Sequence, residues 1–170
     1  MIEQDLHLSF FSYCTNKQTK LEMLDLISQA ETYELREDDD LIHETDWQYD
    51  DWKTPEYSAR AMQLVKPAVD DFAAVIGCSE LSINKHWFQR YRTMGNHGWH
   101  VHNHCQYSAV YYLELPDGTP PTQFRYRGKV FSPSIREGDI VFFPSCVYHR
   151  SPPNMSQKTK TVFAFNVNFT

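Results

Sequence analysis

The spacing of apolar side chains changes at about Gly77, from a helical period to a period of two. Ahead of it, Leu21, Leu24 and Ile27 recur at i, i+3 and i+6 with Met23 beside them, which predicts a helix over about 16–30. A second helix is predicted to start at Thr54-Pro55, where Thr54 can cap free N–H groups and Pro55 suits the first helical position. Tyr57, Ala61, Leu64, Ala68, Phe72 and Val75 would line one face of this helix. Pro67 would kink it and Gly77 would stop it. Between the helices lies REDDDLIHETDWQYDDW, residues 36–52. Mutual repulsion of its carboxylates predicts an irregular surface loop. A second possibility is a lid, with Trp47, Tyr49 and Trp52 facing a substrate and the acids selecting a basic one.

After Gly77, strands are expected at about 81–91, 98–103, 107–115, 122–126, 140–143 and 160–169, punctuated by LPDGTPP, REGD and similar turn signals. In the last of these, Lys160, Val162, Ala164, Asn166 and Asn168 share one face. Thr161, Phe163, Phe165, Val167 and Phe169 share the other. The aromatic face suits packing under the N-terminal helices, and the mixed face suits a cavity. The expected fold is mainly β with N-terminal helices, a double-stranded β-helix of the jelly-roll or cupin-like kind. No internal repeat or low-complexity linker divides the chain. One domain is expected over 1–170, with helical support at about 1–77 and a barrel at about 81–169.

The 170 residues are 41% hydrophobic and 15% aromatic, enough to bury a core. A net charge of -6 makes a dedicated nucleic-acid binder an unlikely class. The opening MIEQDLHLSFFSY has no basic stretch before an apolar run, and no segment is long and apolar enough to span a bilayer. Cys14, Cys78, Cys105 and Cys146 form no CxxC pair and are expected as reduced thiols, in keeping with a cytoplasmic protein that has no membrane partner.

The candidate chemistry lies in WHVHNHCQYSAVYYLELP. His100 and His102 are two apart, so a strand would aim both imidazoles at one face, while His149 follows another strand in FFPSCVYHRSPPN. Two ligands close together and one distant would form a facial triad with about three coordination positions open. A register using His102 and His104 is the alternative. His7, His43, His86 and His97 stand alone and are assigned no role. The cysteine spacing does not suit a four-ligand structural zinc.

Four ordered motifs over about 91–166 resemble the 2-oxoglutarate and iron(II)-dependent dioxygenases, in particular the prolyl-hydroxylase-like branch. HVHN stands at that family's HxD position, SAVYYL follows, VFSPSIREGDIVFFPSCVYH leads to the distal histidine, and RSPPNMSQKTKTVFAFN resembles the closing strand. The pattern is also similar to a group of bacterial and phage oxygenases that carry HxH. A phage origin would place the chain in host cytoplasm.

The resemblance implies an enzyme that couples oxidative decarboxylation of 2-oxoglutarate to hydroxylation, using Fe(II) and O2. His100, His102 and His149 would hold the iron. Lys160 would bind the far carboxylate of 2-oxoglutarate with help from Tyr112, and Tyr91 is a further candidate. Asn166, on the face of Lys160, would support the ligands. His102 in place of the usual aspartate leaves the site one unit more positive. Neither the motifs nor their spacing names the primary substrate, which could be a protein side chain or a small metabolite. Two rivals keep the fold: a three-histidine cupin-type dioxygenase that needs no 2-oxo acid, and a non-catalytic barrel module. A cation at Lys160 separates the first reading from the cupin-type one, and absence of a redox-active metal from the purified protein would favour the module.

Overall fold

In the computed structural model, which describes residues 10–47 and 54–170, everything after Gly77 is strand, turn or loop. The chain runs β1 (Phe11–Cys14), α1 (Lys17–Ser28), β2 (Tyr33–Glu37), β3 (Asp40–Thr45), α2 (Ser58–Ile76), β4 (Leu81–Tyr91), β5 (His97–His100), β6 (Tyr107–Glu114), β7 (Gln123–Tyr126), β8 (Lys129–Phe131), β9 (Asp139–Pro144), β10 (Tyr148–Ser151) and β11 (Lys160–Phe169). A seven-stranded sheet has the order β1-β9-β6-β11-β4-β3-β2, and a four-stranded sheet has the order β5-β10-β7-β8. Their pairings are antiparallel. This is the expected double-stranded β-helix.

The two faces of β11 divide the interior as its sequence predicts. Phe163, Phe165 and Val167 join Phe72, Phe142 and the helix residues Met23, Ile27 and Ala61 in one core. Val162 belongs to a second core with Tyr91, Tyr112, Phe124 and Phe143. Burying such a run of aromatic side chains on both sides of one strand is the main apolar driving force of the barrel.

Asn16 caps α1 by accepting from the Thr19 N–H at 2.9 Å. Gly77 ends α2 in the left-handed region at φ 71, where glycine carries no Cβ penalty. Two helix details differ from expectation. Leu21 and Val75 are exposed, and the buried stripes run instead through Met23 and Ile27, and through Ala61, Val65, Ala68 and Phe72. The helix α2 starts at Ser58, because the Ser58 N–H closes a turn onto the Pro55 carbonyl at 3.0 Å. It continues through Pro67, which lies on the solvent side.

The segment expected as an irregular loop is corrected by the structure. Its first half forms the end of β2 and all of β3, joined by a turn in which Asp38 has φ 46. Leu35 pairs with Ile42 and both are buried, an alternation the surrounding charges concealed. Repulsion is offset because Glu44 on β3 meets Arg90 at 2.8 Å and Arg92 at 2.5 Å. Tyr49 and Trp52 lie outside the described residues.

Asp46 ties α2 to the larger sheet. Its Oδ1 accepts from the Phe88 N–H at 2.9 Å, and its Oδ2 accepts from the Tyr57 hydroxyl. Burial raises the pKa of both groups. Removing the hydroxyl in Tyr57→Phe leaves a buried carboxylate oxygen without its donor. Urea unfolding should show a loss of about 1.5–3 kcal/mol. An unchanged midpoint would mean that this bond does not hold the helix.

Candidate metal centre

Pairing of β5 with β10 sets His100 directly opposite His149, so residues distant in sequence become cross-strand neighbours. Their ring centroids are 4.2 Å apart. The strand ends at His100, shorter than predicted, but His102 just beyond it still turns inward, 5.2 Å from His100 and 5.0 Å from His149 between centroids. The backbone N–H of His102 is held by the Ser145 carbonyl at 3.1 Å. One nitrogen from each of the three rings lies within 4.8 Å of the other two.

The hydrogen bonds define which nitrogen is free. Nδ1 of His100 meets the Gly98 carbonyl at 2.8 Å, and Nδ1 of His149 meets the Val147 carbonyl at 2.8 Å. Nδ1 of His102 meets Asn166 Oδ1 at 2.7 Å, and Ser108 Oγ lies 2.9 Å from the same nitrogen. Each acceptor assigns the proton to Nδ1 and leaves the Nε2 lone pair available. Burial lowers the pKa of all three rings, that of His102 to about 4, so they are neutral at physiological pH. Three neutral imidazoles converging beside a cavity suit Fe(II), Zn(II), Ni(II) or Co(II). His104 is exposed, at φ 63, and takes no part, so the cluster follows the first register and not the alternative.

The same cavity is lined by Trp87, Gln89 and Tyr91 on β4 and by Lys160, Val162 and Ala164 on β11. Lys160 is only 1% exposed, which rules out a solvated lysine at the start of a strand. Its ammonium donates to the Pro120 carbonyl and to Ser151 Oγ, both at 3.0 Å. No carboxylate among the described residues pairs with it, and desolvation lowers its pKa to about 7. Tyr91 lines the cavity with its ring 5.7 Å from the Lys160 ammonium. Tyr112 stands one step behind: its hydroxyl donates to Thr122 Oγ1 at 2.7 Å, and Thr122 faces the cavity.

Two features of the cavity have no counterpart in the sequence reading. His97, taken there as a lone histidine, is buried and stacks on His100 with centroids 3.9 Å apart. Trp87 packs against His102 at 5.4 Å, and its buried indole N–H has no partner among the described residues. Of the other histidines, His86 bonds Ser58 and His43 accepts from the Arg92 N–H. His7 lies outside the described residues.

No family model matches the chain, and no curated protein matches it. Solved structures do. An oxidoreductase of the 2OG-Fe(II) oxygenase family from Burkholderia pseudomallei superposes with a TM-score of 0.73 at 13% identity, over 94% of this chain and 84% of that one. A Pseudomonas putida prolyl-4-hydroxylase gives 0.65 at 15% identity, over 96% and 94%. HygX from Streptomyces hygroscopicus, solved with nickel and 2-oxoglutarate, gives 0.66 at 9% identity, over 96% and 84%. The chain therefore has the fold of these oxygenases.

Asn166 provides a test of the hydrogen-bond logic. Asn166→Leu removes the acceptor that orients His102, so affinity for a divalent ion such as Co(II) should fall 10- to 100-fold by competition with a chelator. Unchanged affinity would show that Asn166 does not set the orientation of His102, leaving Ser108 Oγ as the partner that does.

Proposed function

We propose that the chain is a non-haem iron dioxygenase that hydroxylates its substrate at the expense of 2-oxoglutarate and O2. His100, His102 and His149 hold Fe(II), and Lys160 binds the far carboxylate of 2-oxoglutarate. The observation that carries this reading is a buried ammonium without a carboxylate partner, lining the same cavity as three converging imidazoles. A buried charge is expensive unless an anion pairs with it. The free carboxylate of a dicarboxylic acid chelated at the metal provides that anion. A three-histidine dioxygenase without a 2-oxo acid has no use for it.

Bound iron and 2-oxoglutarate supply the oxidising chemistry, and the chain supplies ligands, orientation and dryness. Phe124 and Phe143 pack against His149 and keep its ring in place. Ser151 and the Pro120 carbonyl aim the ammonium, Tyr91 walls the cosubstrate, and Tyr112 acts through Thr122. Lys160 lies opposite Tyr91, and Ala164 lies opposite Trp87, four residues along the strands. At about 3.3 Å per residue these marks are roughly 13 Å apart. Trp87 thus lines the end of the cavity away from the cosubstrate anchor, the end left for the primary substrate. That substrate is a protein side chain or a small metabolite. Four free cysteines suit a cytoplasmic setting, and no helix among the described residues is long and apolar enough to cross a membrane.

Equilibrium binding to metal-loaded protein separates the roles. Lys160→Met should weaken 2-oxoglutarate binding at least tenfold with metal affinity nearly unchanged, whereas His149→Ala should lose the metal. Equal 2-oxoglutarate affinity in wild type and Lys160→Met would favour the three-histidine reading. Failure of the wild type to bind a redox-active metal would favour a non-catalytic module.

The pH dependence has a defined sign. Lys160 titrates at about 7 in the free protein, and an anion stabilises its charged form. Affinity for 2-oxoglutarate should therefore be highest below pH 7 and fall as pH rises through and above it, with proton uptake on binding. Calorimetry in buffers of different ionisation enthalpy reads that uptake. A pH-independent affinity with no proton uptake would contradict the anchor.

A further inference from the structure

The acidic hairpin of β2 and β3 is built against the metal cluster. Leu41 and Asn96 exchange backbone bonds of 3.0 and 2.9 Å, which seats the hairpin on the chain entering β5. Asp40 Oδ1 accepts from the Gly98 N–H at 2.6 Å, and the carbonyl of Gly98 is the acceptor for His100 Nδ1. A side chain at Gly98 would put a Cβ 3.0 Å from Asp39 Cβ and 3.3 Å from Asp40 Oδ1, so this close approach favours glycine. The other oxygen, Asp40 Oδ2, lies 3.6 Å from His97 Nε2. The His97 ring lies nearly parallel to that of His100, at 17°, and its Nδ1 is 3.3 Å from Gln89 Nε2.

Among the described residues, Asp40 is the carboxylate that lies beside a histidine of this cavity, 3.6 Å from His97 Nε2. The three ring ligands are neutral, and the partner of His102 is the neutral amide of Asn166. With three imidazoles the ligand set carries no negative charge to balance the ion. A carboxylate fixed one ring away acts on the ion through a low-dielectric path, where charges interact more strongly than in water.

We infer that Asp40 is a positioning residue that supplies the metal centre's missing negative charge from outside the ligand set. Its carboxylate is held on the Gly98 N–H and faces His97, which stacks on His100. This rests on the iron reading of the cluster. The charge would favour Fe(III) relative to Fe(II) and so set the potential of the site. The acidic segment that looked like a solvated loop in sequence would then take part in tuning the centre.

The test is a redox titration of the Fe(II)-loaded protein under anaerobic conditions with mediators, with Fe(III) followed by electron paramagnetic resonance. Asp40→Asn keeps an oxygen acceptor for Gly98 and removes the charge. It should shift the Fe(III)/Fe(II) balance towards Fe(II) about tenfold, about 59 mV for a one-electron couple. Asp40→Ser, a shorter neutral acceptor, gives the same comparison if the asparagine variant does not fold. Asp39→Asn, an exposed neighbour on the same hairpin, should leave the potential at the wild-type value. An Asp40→Asn or Asp40→Ser protein that folds, binds iron and keeps the wild-type potential would reduce Asp40 to a clamp and overturn the inference. An equal shift in Asp39→Asn would overturn it too, by assigning the effect to the overall charge of the hairpin. A wild type that binds no iron would instead remove the reading on which it rests.

Discussion

The alternation of side chains along β11, fixed between β4 and β6, is the constraint on which the site depends. A strand has only two faces, and here both are buried. One carries the aromatic side chains that seal the helices to the larger sheet, and the other carries Lys160, Val162 and Ala164 into the cavity. A slip of one residue would exchange the faces, placing an ammonium in the aromatic core and a phenylalanine against the histidines. The packing that stabilises the barrel is therefore the same packing that aims the cavity cation.

The smaller sheet contributes two of the three candidate ligands, His100 and His149, under a similar constraint. Cross-strand pairing brings His149 to His100, and local acceptors assign the Nδ1 proton on every ring. Burial then does two things at once. It keeps the imidazoles neutral, as a metal ligand must be, and it depresses the ammonium until an anion arrives. A cation at the imidazoles and an anion at Lys160 are what the proposed chelation of a dicarboxylic acid would require of this cavity.

Much of this was legible in the amino-acid sequence, and the exceptions have physical causes. The long strands β4, β6 and β11 each span eight residues or more, enough to be read between their turn signals, and the family resemblance, with the two faces of β11, pointed to Lys160 and Asn166. The short strands β1, β8 and β10 span only three or four residues, too few to carry a period. The hairpin of β2 and β3 was hidden because its carboxylates dominate the local composition, whereas Leu35, Ile42 and the distant arginines Arg90 and Arg92 determine its structure. His97 stands an odd number of positions from His100, so strict alternation places it on the other face. Its place in the cavity depends on the register shift where β10 meets β5. The neighbouring Gly95 and Gly98 were the available signal that another segment, the β2–β3 hairpin, comes close.

The central claim is that one cavity holds both the metal and the 2-oxo acid. Its most direct test is an anaerobic titration of the Fe(II)-loaded protein with 2-oxoglutarate, followed in the visible spectrum. Chelation of the 2-oxo acid should produce a weak charge-transfer band that grows to saturation with one molecule per iron. Tight Fe(II) binding with no such band at saturating 2-oxoglutarate would contradict it.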